Sequence, residues 1–238
     1  MSRPLAVVTG TSSGIGQAIT QNLLQSDWRV VGISRRQAHF ESEHYTHLCC
    51  DLTETSHIPE ITQTILKTHG PLNALVNNAG VGHFAPHEEL SPAQIQELVS
   101  LNLLAPLLMT RGFLRSLKET RGNVISISSF SALESSSFGA AYAATKAGLK
   151  HFGDSLFDEV RKSGVKVTTV TPDITRTPFY DELTFAPEED PAAAVTPECV
   201  GQVVMQILSQ RPQTITTHIV LRPERILLTK RPARNGKK

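Results

Sequence analysis

Tyr142 and Lys146 stand four residues apart in the run YAATK, which contains neither glycine nor proline. On a helix that spacing puts both side chains on one face, one turn apart. A tyrosine phenol ordinarily ionises near pH ~10 and is a poor proton acceptor at neutral pH. An ammonium about 5 Å away, at an effective dielectric of about 20, stabilises the phenolate by roughly 3 kcal/mol. That lowers the phenol pKa by about two, toward the range where one group can both give and take a proton. On a solvated helix face the same pair would do nothing, so its meaning depends on its surroundings.

A second chemical feature lies near the N-terminus. Residues 9–16 read TGTSSGIG, with glycines at 10, 14 and 16. Such a loop lets the chain turn tightly and brings backbone N–H groups up to a diphosphate, in front of the positive end of a helix. The spacing is G-x3-G-x-G, not the common dinucleotide fingerprint G-x-G-x-x-G. Alone it reads equally well as a tight strand-to-helix turn.

Both features need elements to position them. Residues 4–10 (PLAVVTG) form an apolar run expected to be a buried strand. From Gly14 onward Ile15, Ala18, Ile19, Leu23 and Leu24 repeat at helical spacing. Further strands are expected at 29–33, 46–50, 72–76, 123–127, 165–170 and 214–221. Helices are expected at 58–69, from Ser91-Pro92 through Leu103 and, after a bend at Pro106, to Leu117, then at 142–162, and from Thr196-Pro197 to about Gln210. Residues 172–195, rich in proline and acids, read as a loop. The strict alternation predicts an α/β fold: a doubly wound parallel sheet of about seven strands in a single domain, 1–229. The basic residues 230–238 read as a flexible tail.

Composition narrows the function. The chain has 238 residues, 39% hydrophobic and 19% charged, and a formal net charge of +1. That gives no general attraction to nucleic acid or anionic membranes. The apolar stretch at the start, 5–8, is shorter than the ~7–15 residues of a signal peptide, and no uninterrupted apolar run approaches ~18 residues. A cytoplasmic protein is expected. Three cysteines without C-x-x-C and nine scattered histidines give no metal or disulfide pattern.

Further motifs follow in order. Asn77-Asn78-Ala79-Gly80 follows the fourth strand, Ser128-Ser129 the fifth, and Tyr142-x3-Lys146 opens the next helix. Together with the glycine loop these strongly resemble the short-chain dehydrogenase/reductase family, over residues 5–210. The resemblance implies a Rossmann-type fold, usually a homodimer or homotetramer, and hydride transfer between a nicotinamide cofactor and an alcohol or carbonyl carbon. It implies Tyr142 as general acid/base and Lys146 as the group binding the nicotinamide ribose. Ser129, thirteen residues before the tyrosine, would bond the substrate oxygen. Asn102, in the preceding helix, would hold a proton-relay water. Ser128 reads as a strand-end cap.

The resemblance also distributes the cofactor. Gly10, Thr11, Ser12, Ser13, Gly14, Ile15 and Gly16 would take the diphosphate, and Asp51 and Leu52 would bracket adenine. Asn77, Ala79 and Gly80 would line the adenosine and ribose side. Pro172, Ile174, Thr175 and Thr177 would face the nicotinamide amide. Asp173 stands where the family usually has glycine, a substitution expected to disturb the backbone if a left-handed conformation is required there. The second strand ends in Ser34-Arg35-Arg36, without the acid that NAD-preferring relatives use on the adenosine ribose. Arg35, with Arg36 beside it, can instead pair with a 2′-phosphate, so NADP(H) is the expected cofactor.

The substrate is expected to be a small carbonyl or alcohol compound, in a pocket holding His83, Phe84, Glu134, Phe138, Phe179 and Tyr180. Acidic residues in 172–195 weigh against polyanions. Two rival readings remain: an NADP(H)-binding regulator without turnover, and a dehydratase or epimerase on the same fold. The intact Ser129, Tyr142 and Lys146 weigh against the first, and the short chain against the second.

Overall fold

The computed structural model describes residues 3–231. Seven strands form one wholly parallel sheet. They are β1 (Leu5–Thr9), β2 (Arg29–Ser34), β3 (Tyr45–Cys49), β4 (Ala74–Asn77), β5 (Asn123–Ile127), β6 (Lys166–Pro172) and, after a short β7 (Phe185–Pro187), β8 (His218–Leu221). Their order is β3-β2-β1-β4-β5-β6-β8. Both faces are covered, so the central strands are buried along their whole length: LAVVT in β1 and KVTTVTP in β6. The two-residue side-chain period splits β1. Leu5 and Val7 pack toward one face of the sheet, Ala6 and Val8 toward the other.

Six helices supply those faces. Helices α1 (Gly14–Gln25) and α6 (Pro197–Leu208) pack together over one side. On the other lie α2 (Ile58–His69), α3 (Pro92–Val99), α4 (Ala105–Thr120) and α5 (Ala140–Val160). The strand order reverses between β1 and β4, and the carboxyl ends of those two strands open a crevice there. The glycine loop leaves β1, and Asn78 to Gly80 leave β4, at that place.

Three local outcomes differ from the sequence expectations. The irregularity in the third expected helix is a π turn, Ser100–Leu104, which ends two residues before Pro106. Proline lacks an N–H, and its ring crowds the carbonyl four residues back, here that of Asn102. The continuous helix Pro92–Thr120 spans 29 residues and is apolar enough on average to cross a bilayer. Leu98, Met109, Phe113 and Leu117 on that helix are instead completely buried in the protein. Residues 172–195 are not all loop: β7 pairs antiparallel with β9 (Leu228–Lys230). Lys230 and Arg231, expected to open the tail, are thus held, Arg231 donating its N–H to the Thr184 carbonyl. The rest of that segment, 232–238, lies outside the described residues.

Candidate functional site

The glycine loop is fitted to the segment after β4 with no room for side chains. Gly10 and Gly14 have φ of +75° and +56°. A Cβ at Gly16 would fall 2.1 Å from the Gly10 carbonyl oxygen. Asn78 secures the junction by donating its Nδ2 to the Thr9 and Gly10 carbonyls at 2.9 and 3.3 Å. Thr9 Oγ1 accepts the N–H groups of Asn78 and Ala79, both at 2.9 Å. Neither Thr9 nor Asn78 was assigned a role from sequence, although Asn78 lies inside the quoted Asn-Asn-Ala-Gly. Ser13 caps α1 without a side-chain capping bond, and no acid sits in that first turn. In α3 and α6, by contrast, Ser91 and Thr196 accept from their own helix N–H groups. Ser12, Ser13 and Ile15 lie partly exposed along the loop, whereas the Thr11 side chain is buried, 3.2 Å from the Tyr45 hydroxyl and 3.4 Å from Ser34 Oγ. With its side chain turned inward, Thr11 can offer a ligand its backbone, in keeping with the expected diphosphate contact through N–H groups.

At the end of β2, Ser34 turns inward. Its hydroxyl donates to the Arg36 carbonyl at 2.8 Å, so the His47 Nε2–H at 3.1 Å donates to it. Arg35 reaches Asp51 at 3.7 Å, and Arg36 reaches Ser13 Oγ at 3.5 Å. Of the two arginines, the second lies closer to the glycine loop. Burial pushes the Asp51 carboxyl up, but two hydrogen bonds from Thr53 and the Arg35 charge outweigh it and hold the group below its ordinary value. Leu52, Asn77 and Ala79 lie together against Leu101 and Met109, with no ligand-sized space between them. Asn77 Nδ2 donates to Thr110, while its buried Oδ1 has no partner among the described residues.

The tyrosine and lysine stand on the first two turns of α5, both buried. Lys146 Nζ lies 5.9 Å from the Tyr142 ring centroid and donates to the Ile127 carbonyl at 3.1 Å. Burial lowers the lysine to about 8. Burial also raises the phenol above its ordinary value, opposed by a hydrogen bond with the Ser129 side chain. The expected lowering of the phenol by the ammonium is therefore corrected for the chain by itself: desolvation dominates, and the lysine too is penalised as a cation. Ser129 caps the short turn Phe130–Ala132. Ser128 donates its hydroxyl to the Lys146 carbonyl at 2.9 Å, which pins α5 to the end of β5.

Asn102 sits in the π turn, fully buried. Its two amide hydrogens go to the Val81 carbonyl (2.9 Å) and Thr145 Oγ1 (3.2 Å), and Oδ1 accepts the Val81 N–H at 2.9 Å. A Cβ on Gly80 would lie 3.1 Å from that Oδ1 and 3.3 Å from Lys146 Nζ, so all three meet at one point.

The segment after β6 closes the arrangement. Pro172 ends β6 in register with Leu221. Asp173 has no positive φ, so the expected backbone strain does not arise. Its carboxylate accepts the Ile174 N–H and pairs with Arg222 at 3.1 Å, while the Arg222 guanidinium stacks over Phe130 at 4.1 Å. Thr175 donates its hydroxyl to the Asp173 carbonyl. Thr177 caps the turn Pro178–Tyr180, with Cγ2 3.0 Å from where a Gly14 Cβ would be. Among the expected pocket residues, Phe84, Phe179 and Tyr180 gather round Tyr142. Phe138 is exposed at the rim, His83 turns to Glu97 at 2.8 Å, and Glu134 is exposed on its loop. Phe185 joins the rings without having been singled out, because β7 is made by pairing with a distant strand.

A family model described as short chain dehydrogenase matches residues 4–187. The chain is 32% identical over 193 residues to a sorbitol-6-phosphate 2-dehydrogenase of Klebsiella pneumoniae, covering 74% of this chain and 72% of the relative. It is 31% identical over 205 residues to an L-fucose dehydrogenase of Bos taurus, covering 83% and 75%. Among solved structures it resembles a metagenomic short-chain oxidoreductase in complex with NADP, with 30% identity, a TM-score of 0.78 and coverage of 92% and 96%. A match over most of its length, on a seven-stranded parallel sheet with these motif residues at one edge, means that the chain belongs to the short chain dehydrogenase family of oxidoreductases.

Proposed function

We propose that the chain moves a hydride between NADP(H) and the alcohol or carbonyl carbon of a small organic substrate, with Tyr142 as the proton donor or acceptor. The observation that carries this reading is the buried Tyr142–Lys146 pair on one face of α5, with the Ser129 side chain on the phenol. A protein that only sensed the dinucleotide would have no use for an acid/base group held this way.

The residues present fit the cofactor. The glycine loop leads into a helix end whose N–H groups are not spent on a side-chain cap, the kind of place where a diphosphate would be held. The buried Asn77 Oδ1 has no partner among the described residues and would be open to the adenosine side of the cofactor. No acid at position 34 opposes a 2′-phosphate, while Arg35 and Arg36 stand ready to pair with it. The nicotinamide ring, when bound, supplies or accepts the hydride. Lys146 then holds the ribose hydroxyls. Ser129 bonds the substrate oxygen, and Asn102 Oδ1, which keeps one acceptor position beside Lys146, serves a relay water.

Tyr142 is protonated at neutral pH, the form that gives a proton to the oxygen of a carbonyl being reduced. Carbonyl reduction is therefore expected to hold from neutral pH upward until the phenol ionises, and alcohol oxidation to rise over that same limb. The test follows reduced nicotinamide by absorbance across a panel of carbonyls and alcohols, with wild type and Tyr142→Phe. Turnover is expected to fall at least a thousandfold in the variant while NADPH binding stays within about twofold. A variant retaining more than a tenth of wild-type kcat refutes the role of Tyr142, and a silent panel refutes the enzyme reading in favour of a regulator.

A further inference from the structure

Five aromatic rings form one connected cluster on the proposed acid/base. Phe84 lies 5.1 Å and Phe179 6.0 Å from the Tyr142 ring, centroid to centroid. Phe185 stacks edge-on to Phe84 at 5.2 Å, and Tyr180 joins Phe179 and Phe185 at 5.4 and 5.8 Å. Three of the nine phenylalanines and two of the three tyrosines are thus spent here. They come from three remote segments: the turn after β4, the start of α5, and the stretch from β6 through β7. The approach depends on Gly82, where a Cβ would fall 2.3 Å from Phe179 and 2.7 Å from Phe84. At the rim Phe138 is 64% exposed with φ +60°, a conformation that phenylalanine seldom adopts.

Among the described residues, several cations on and beside these segments are committed elsewhere. His83 pairs with Glu97. Arg222 is held by Asp173 and the Phe130 face, and Arg176 donates to the Glu188 and Asp190 carbonyls. Arg231 donates to the Tyr180 carbonyl, and Lys146 to that of Ile127. A carboxylate or phosphate drawn in among these rings would lose its hydration while the cations just named stay bound to their present partners. A flat apolar group would gain stacking of about three- to tenfold for each well-placed ring.

Resting on the proposed reading of Tyr142, we infer that the substrate is an uncharged carbonyl compound bearing an aromatic or comparably flat apolar ring next to the reacting carbon. This differs in class from the phosphorylated and free sugars named for two of the relatives.

The test measures NADPH-dependent kcat/KM for acetophenone, butanone, methyl 4-acetylbenzoate, 4-acetylbenzoate and fructose 6-phosphate. The neutral ester is expected to exceed its carboxylate at least tenfold, and acetophenone to exceed butanone at least tenfold. Phe179→Leu and Phe84→Leu are each expected to cut the acetophenone-to-butanone ratio threefold or more. A preference for the carboxylate or the sugar phosphate overturns the inference alone, as does an acetophenone-to-butanone ratio that neither variant moves. Silence across the panel and across the matching alcohols overturns the dehydrogenase reading, and this inference with it.

Discussion

Lys146 is placed at a cost to stability, and that cost can be measured. The residue is 5% exposed, and its ammonium donates to one backbone carbonyl with no carboxylate beside it among the described residues. Its fall from 10.5 to about 8 corresponds to roughly 3 kcal/mol against the charged form, at about 1.4 kcal/mol per pH unit. Below pH 8 both folded and unfolded chains hold the proton, so the cost is fully present. Between about 8 and 10.5 the unfolded chain binds a proton that the folded chain has lost, and stability climbs with pH. Above 10.5 the cost is gone. Lys146→Met keeps most of the volume without the charge. It forfeits the bond to the Ile127 carbonyl, worth about 1 kcal/mol. The ligand-free variant is therefore expected to be about 2 kcal/mol more stable than wild type at pH 6.5, a rise in Tm of roughly 5 °C for a domain of this size. The gain is expected to vanish by about pH 10, and turnover to be lost at both pH values. Calorimetry of both proteins at both pH values decides it. A variant no more stable at pH 6.5, or a difference that does not change with pH, refutes the reasoning.

Two further outcomes follow from the cofactor side. Arg35→Ala and Arg36→Ala are each expected to weaken NADPH about ten- to a hundredfold and leave NADH nearly unchanged, read as the ratio of kcat/KM for the two cofactors. A wild-type ratio near one, or a ratio that neither variant alters, contradicts the assignment. Gly16→Ala forces a Cβ into the Gly10 carbonyl, so dinucleotide affinity measured by titration calorimetry is expected to drop more than tenfold and stability by about 1–3 kcal/mol. Unchanged binding would show that the loop can yield without cost.

Much of this protein was legible in its sequence because the relevant information is local. The alternation of apolar strands with 3.6-periodic helices encodes the doubly wound sheet, and strands buried on both faces must be apolar throughout. Tyr142 and Lys146 share a face because four residues make about one turn, and a glycine at 10 or 14 is written into the φ that the turn requires. The tertiary structure decided what no spacing contains. It buried Tyr142 among its folded neighbours, and that burial raises the phenol against the hydrogen bond with Ser129. It turned the Thr11 side chain inward, sent Arg36 rather than Arg35 to the glycine loop, and gave Asp173 an arginine from β8's end in place of backbone strain. It also paired β7 with β9, bringing Phe185 to the ring cluster. Each of these depends on contacts between residues far apart in the chain, where desolvation and pairing energies are fixed by which groups meet rather than by the pattern along any one element.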